Sequence, residues 1–413
     1  GHLAQQTHTD SNSPGFRWQH FTYLLCNPRQ ALSPLQASVS PAEKQSEDKN
    51  QGVYTRAMTC FHLPDLGAHW DPALCLVPNP AQACLSDAAW PRLSAGSPPP
   101  LPGQRDVQGP DWAVTDLDLS LRNLTFSKDD WQTQEGKLSM NASEFIYGSL
   151  HFFDPILNAE FSPQGIALRQ FTTRWEGGMV RTSGNWLRNG KALILDDAAI
   201  AGLEYTLPEN WKQQWMKPLP GWLNSLTLKK FSASRNLVID IDPAFPWQLT
   251  ALDGYGANLG LVQNHQWGIW SGNATLNAAA ATFNRVDVRR PSLALAANSS
   301  TVNINELSAF TEKGLLEATA SVSQLPQRQT KVSLNGRGVP MNVLQQWGWP
   351  ALPISGDGNI QLTASGNIQA DAPLKPTVNG QLHAVNADKQ QVTQIMRAGV
   401  VSGAEVTQPQ PAQ

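Results

Sequence analysis

The chain has 413 residues, room for roughly two or three domains, with 15% charged residues and a formal net charge of −3. A near-neutral balance with no basic stripe excludes a nucleic-acid surface. No apolar run is long enough to cross a bilayer as a helix. Gly and Pro are plentiful, and Asn, Gln, Ser and Thr fill the hydrophilic positions, a composition typical of β-rich extracytoplasmic proteins.

The chain opens on "GHLAQQTHTD", which lacks a basic segment followed by an apolar one, so no signal peptide is expected there. A start on Gly rather than Met points to a fragment. Composition breaks near residue 107. Cys26, Cys60, Cys75 and Cys84 all lie before it, and the first 110 residues contain no isoleucine. "NPRQALSPLQASVSPAEKQSEDKNQG" and "PRLSAGSPPPLPGQRDVQGP" carry no sustained period of a helix or strand. Three readings fit residues 1–107: a disordered Pro-rich extension, a small disulfide-stapled unit, or an out-of-frame translation joined to a genuine domain. The last is favoured, disorder comes next, and the stapled unit ranks lowest because the cysteine spacings match no zinc or redox pattern.

From residue 108 to 402 the pattern is mainly β. In "LDLSLRNLTF", Leu117, Leu119 and Leu121 alternate with Asp118, Ser120 and Arg122, and Leu124 and Phe126 continue the apolar side after a slip. "LPENWKQQWMKPLPGWLNSL" reads as a short helix, with Pro208 near its start and Trp211 and Trp215 one turn apart. In "LVIDID", Leu237, Ile239 and Ile241 oppose Val238, Asp240 and Asp242. "SLALAANS" and "TVNINE" alternate likewise, and "LEATASVS" sets Leu316, Ala318 and Ala320 against Glu317, Thr319 and Ser321. "VPMNVLQQWGWPALP" reads as a second short helix, stopped by Gly348 and Pro350. "NIQLTASGN" then sets Ile360 and Leu362 against Gln361 and Thr363. Asn189-Gly190, Asp253-Gly254, Asn335-Gly336, Asp357-Gly358 and Asn379-Gly380 are the expected hairpin turns. "SGN" or "SGD" at Ser183, Ser271 and Ser355 fits either a weak internal repeat or coincidence. Residues 403–413 read as a disordered tail. The expected architecture is a long antiparallel meander with two short helices.

Little in the sequence carries catalytic chemistry. "GYGANLG" from Gly254 imitates a nucleotide loop, but its spacing is wrong and it reads as a turn feeding a strand. Asp196-Asp197 and Asp240/Asp242 are paired carboxylates without a convergent His, Lys or Tyr, and read as solvated strand ends. His151, His265 and His383 are far apart. No catalytic residue, cofactor or metal is expected.

Two segments resemble the AsmA family of Gram-negative envelope proteins. "FTTRWEGGMVRTSGNWLRNGKALILDDAAIAGLEY", Phe171 to Tyr205, follows the family's strand, Gly-Gly turn, strand and Asp-containing strand, with Gly177, Gly178, Gly184, Asp196 and Gly202 in the matching places. "GRGVPMNVLQQWGWPALPISGDGNIQLTASGN", Gly336 to Asn367, resembles its C-terminal short helix, Pro turn, Gly-x-Gly and strand. Residues 1–107 depart from the family's transmembrane anchor and β-rich start. The resemblance implies an inner-membrane-anchored periplasmic protein. It further implies a strongly curved antiparallel sheet folded into an apolar-lined groove, as in bridge-like lipid transfer proteins. Phospholipid acyl chains are then the expected partner, between inner and outer membrane. The alternative is a scaffold or regulator of outer-membrane protein assembly or of protein targeting to membrane. The expected lipid-facing residues are Leu117, Leu119, Leu121, Leu237, Ile239, Leu316, Ile360 and Leu362. From the residues alone, an ordinary sandwich core is the preferred explanation of such faces, and the resemblance reverses that order.

Overall fold

The computed structural model describes residues 106–122, 135–369 and 371–409. The readings of residues 1–105, of Leu124 and Phe126, and of the last residues of the tail lie outside them. The described chain is mainly β, with 22 strands and a large antiparallel sheet. The chain divides into two compact units.

The first unit reaches Ala198 and takes in Leu219–Leu226. Its strands are β1 (Val107–Gln108), β2 (Trp112–Thr115), β3 (Asp118–Arg122), β4 (Gly136–Asn141), β5 (Glu144–Tyr147), β6 (Leu150–Ser162), β7 (Gly165–Trp175), β8 (Gly178–Leu187) and most of β9 (Ala192–Ala201). β2 and β3 are one strand with a defect. Thr115 pairs with Glu144 and Asp118 with Asn141, in unbroken register. β4 and β5 likewise keep one register along β6. The defects line up across the sheet. Asp116 and Asp154 take positive φ, 57° and 50°. Between them, the Ser143 N–H donates to the Thr115 carbonyl (2.9 Å) and the Ala142 N–H to the Pro155 carbonyl (3.2 Å). Such irregularities bend strands and sharpen twist. They also reset the burial phase: Trp112 and Val114 are buried before the defect, Leu117 and Leu121 after it.

The second unit holds β10 (Glu204–Thr206), the short helix α1 (Trp211–Met216) and most of β11 (Ser225–Asp240). β12 (Trp247–Gln263), β13 (Gln266–Asn277), β14 (Ala280–Phe283), β15 (Val286–Ala297), β16 (Thr301–Phe310), β17 (Leu315–Ser323) and β18 (Gln329–Pro340) follow. A 3-10 turn (Val343–Trp347) leads to β19 (Asp357–Asn367), then a second one (Lys375–Thr377), β20 (Asn379–Asn386), β21 (Gln391–Arg397) and β22 (Val400–Thr407). From β15 to β22 each strand pairs antiparallel with the next, a meander. The second expected helix is therefore a 3-10 turn. Gly348, at φ 104°, ends it.

The two units repeat one design. The defect of β2–β6 recurs in β12–β15, with Ala251 and Arg290 at positive φ (55° and 47°) and a proline, Pro291, after the second. Its hydrogen bonds recur too: the Ala279 N–H to the Thr250 carbonyl (2.9 Å) and the Ala278 N–H to the Pro291 carbonyl (3.0 Å). The later slips of β6–β8 have counterparts in β15–β17 at one constant offset in numbering. The slip between Asn158/Gln170 and Ala159/Leu168 matches that between Ala294/Glu306 and Leu295/Ile304. The slip between Leu168/Gly184 and Phe171/Thr182 matches that between Ile304/Ala320 and Leu307/Ala318. The connecting segments repeat in sequence as well: "NWKQQW", from Asn210, and "NVLQQW", from Asn342. The Ser-Gly-Asn copies do not follow this repeat, since Ser183 lies in β8 and Ser271 in β13, which are not counterparts.

Most of the expected Asn-Gly and Asp-Gly turns are not turns. Asn189-Gly190 is one. Asp253-Gly254 lies inside β12, Asn335-Gly336 inside β18, and Asp357-Gly358 and Asn379-Gly380 open β19 and β20. There glycine answers crowding: a Cβ on Gly336 would meet Val339 and Leu316, and one on Gly358 the Val385 carbonyl. The tight turns are made by residues such as Asn264-His265 and Asn284-Arg285, each pair at positive φ. Gly272 combines both demands, with φ 89° and a Cβ position overlapping the Asn258 carbonyl. Gly272→Ala is expected to lower unfolding free energy by at least about 2 kcal/mol. Gly190→Ala, at φ 86° in open space, should cost only about 1 kcal/mol. Urea titration of the two variants checks the difference.

Candidate functional site: an apolar sheet face and its cover

Side chains alternate across a strand, so pairing register decides which residues share a face. In the second unit one cross-strand row runs Leu276, Leu293, Leu307, Ala318, Leu334, Leu362, Leu382 from β13 to β20. Beside it runs Leu295, Ile304, Ala320, Val332, Ala364 and Gly380. On its other side lie Leu316, Gly336, Ile360, Ala384 and Val392. The first unit repeats this pattern: Leu119, Met140, Leu157 and Phe171 form one row, and Leu121, Leu138, Ala159 and Leu168 the next.

Part of the second unit's face is covered by the chain itself. Met341, Val343, Leu344, Trp349 and Ile354, from the segment between β18 and β19, pack with Leu316, Ile360, Leu382 and Val392 in one core cluster. The cover is pinned by polar contacts. The Trp349 indole N–H donates to Gln394 Oε1 (2.8 Å), both residues being buried. The Trp347 indole N–H donates to the Phe283 carbonyl (2.9 Å). Exposure varies along the row. Leu382 is 0% exposed and Ile360 1% beneath the cover; beyond it Leu362 and Leu334 are half-buried, Ala318 is 8% exposed, Leu307 reaches 42%, and Leu293 and Leu276 are again half-buried.

The eight sequence-selected residues thus fall into separate groups. Leu316, Ile360 and Leu362 come together, the first two in the core cluster and Leu362 against it. Leu119 and Leu121 lie in the first unit's rows, and Leu117 sits buried at the β2/β3 defect. Leu237 and Ile239 are half-buried in β11, paired in parallel with β10. At that strand the alternation misleads: Ile241 is 62% exposed, whereas Asp240 is buried. Asp240 is not a solvated strand end. Its carboxylate accepts from the Trp211 indole N–H (3.1 Å) and from the Asp242 N–H (3.1 Å), anchoring α1. Asn236, 0% exposed, is a structural residue that the sequence reading passed over: Oδ1 accepts from the Leu203 N–H and Nδ2 donates to the Leu252 carbonyl. "GYGANLG" lies within β12, not in a turn.

The opposite face is mainly hydrophilic, with Phe310 (41% exposed) and Ile395 (40%) as exposed apolar residues on it. A shallow depression of about 1060 Å³ lies against it, lined by Thr319, Ser321, Lys331, Ser333, Thr363 and Gln381, among others. Among the described residues no group of three or more His, Cys, Asp or Glu converges. Glu160 has its pKa lowered, chiefly by the Arg169 hydrogen bond (2.6 Å), within an exposed cross-strand ion pair. His383 Nδ1 lies 3.0 Å from Thr393 Oγ1.

This chain is 84% identical over 305 residues to "AsmA family protein YicH" of Escherichia coli (strain K12). It belongs to the AsmA family. The match takes in 74% of this chain and 54% of that protein, so the chain spans about half the relative's length. No family model matches, and no solved structure does. No helix among the described residues is long and apolar enough to cross a membrane.

The cover's polar pin has a measurable signature. Gln394→Leu strands the buried Trp349 N–H and is expected to cost about 1–3 kcal/mol. Adding Trp349→Phe removes that orphan donor, so the double variant should be more stable than the sum of the single changes implies. A double-mutant cycle by chemical denaturation measures the coupling.

Proposed function

We propose that the chain is part of a non-enzymatic cell-envelope protein that holds phospholipid acyl chains on the apolar face of its sheet. Conducting them between the inner and outer membranes would be its role. One observation carries this reading: the leucine row in the second unit, sealed at Leu382 but only half-buried at Leu362, Leu334, Leu293 and Leu276 and 42% exposed at Leu307. Water-facing leucine forgoes burial worth about 1.5–3 kcal/mol per side chain when complete. A row of such residues on neighbouring strands suits a mobile apolar ligand. Acyl chains make no directional bonds, so they can shift from row to row without breaking hydrogen bonds. Headgroups would stay in water, which needs no catalytic residue, cofactor or metal. Membership of the AsmA family supports an envelope location, with the inner membrane as the point of attachment and outer-membrane components as partners.

Photo-crosslinking amino acids placed at Leu119, Leu334 and Leu362 should capture phospholipid in cells, read by mass spectrometry. The same probe at Asp118, Asn335 and Gln361, on the opposite face, should capture little. Equal capture from the two sets, or protein partners without lipid, would sink the lipid reading.

A further inference from the structure

Resting on that lipid-holding reading, we infer that the Met341–Ile354 segment is a fixed stop that ends the acyl-chain surface at β19. Three observations meet here. First, among the leucines of the row the one under the segment is sealed and the others are not: Leu307 is 42% exposed, Leu276, Leu293, Leu334 and Leu362 are half-buried, and Leu382 is 0% exposed. The surface an acyl chain can reach therefore ends at Leu362, while Ile360 and Leu382 face protein. Second, the segment is locked from both sides. Trp349 reaches across to Gln394 on β21, and Trp347 and Gln346 bond the hairpin between β14 and β15 through the Phe283 carbonyl and the Asn284 amide. A loose lid would not commit two indole N–H groups and a buried glutamine to fixed partners.

Third, the internal repeat supplies a control within the same chain. The counterpart segment, Asn210–Trp215, keeps the Asn and the Gln-Gln-Trp, but Lys212 stands where Leu344 is buried, and α1 buries none of its residues. A lysine at that position cannot enter an apolar core without shedding its charge or reaching back to water. Only the second copy of this segment is built to seal. Trp349, with no tryptophan at the counterpart Lys217, is the positioning residue of the stop.

The test compares lipid capture at four probe sites in the full chain: Leu334 and Leu362 before the stop, Ile360 and Leu382 beneath it. Capture at the first pair at least ten times that at the second is expected. In Trp349→Ala, capture at Ile360 and Leu382 should rise several-fold with that at Leu334 unchanged. Because Trp349→Ala can also loosen the fold, Leu344→Lys, which copies the first repeat, is tested beside it and should have the same effect. Both are checked for a retained cooperative unfolding transition. Equal capture at all four sites in the unchanged protein overturns the stop and leaves the lipid reading standing. Absence of capture at every site overturns both. Capture at Ile360 and Leu382 that stays low in both folded variants also overturns the stop.

Discussion

A sheet with one apolar face must cover that face, and everything else here follows from how the covering is shared out. Over β19–β21 the chain covers itself, with a tryptophan and several aliphatic side chains packed onto Ile360, Leu382 and Val392. Farther along the same row the leucines are only half-buried. Burial at about 25 cal/mol per Å² favours filling that remainder with something apolar. The sheet supplies the surface, and the segment after β18 decides how much of it the protein keeps for itself.

Defects are as much a part of the design as strands. A regular strand would carry one phase of alternation from end to end. Positive-φ residues at Asp116, Asp154, Ala251 and Arg290, two of them followed by proline, break the strands along a line and bend them. Asp tolerates such positions better than most residues, but Ala and Arg are unusual there, so the surrounding hydrogen bonds must hold them. Their recurrence in both units, with the same partners, shows that the bend belongs to the repeat and not to local accident.

The copies then diverge at the connecting segment. Both keep Asn and Gln-Gln-Trp. In the second, Val343 and Leu344 enter the core, while in the first Trp211 and Lys212 occupy their places and α1 stays at the surface, tied to buried Asp240 and stacked through Trp215 on Trp267 (5.3 Å between ring centres). One duplicated element thus serves as a cover in one copy and as an exposed helix in the other, through a change of polarity at one buried position.

Alternation in the sequence was enough to determine the mainly-β class, most strand positions and the shared face of Leu316, Ile360 and Leu362, because a period of two survives in local order. The "QQW" repeat was also legible, yet it was hidden behind commoner Ser-Gly-Asn triplets. Only the tertiary structure decided which Asn-Gly and Asp-Gly pairs turn. The same residues serve a tight turn and a crowded strand, and what distinguishes them is the neighbour across the ladder, such as the Val385 carbonyl over Gly358. Only the tertiary structure, too, showed Asp240 buried and Ile241 exposed, since what covers each face of a strand, here Trp211 at Asp240, lies elsewhere in the chain. And it alone separated sealed from half-open leucines: Ile360 and Leu362 read alike along the chain and differ only in what lies above them.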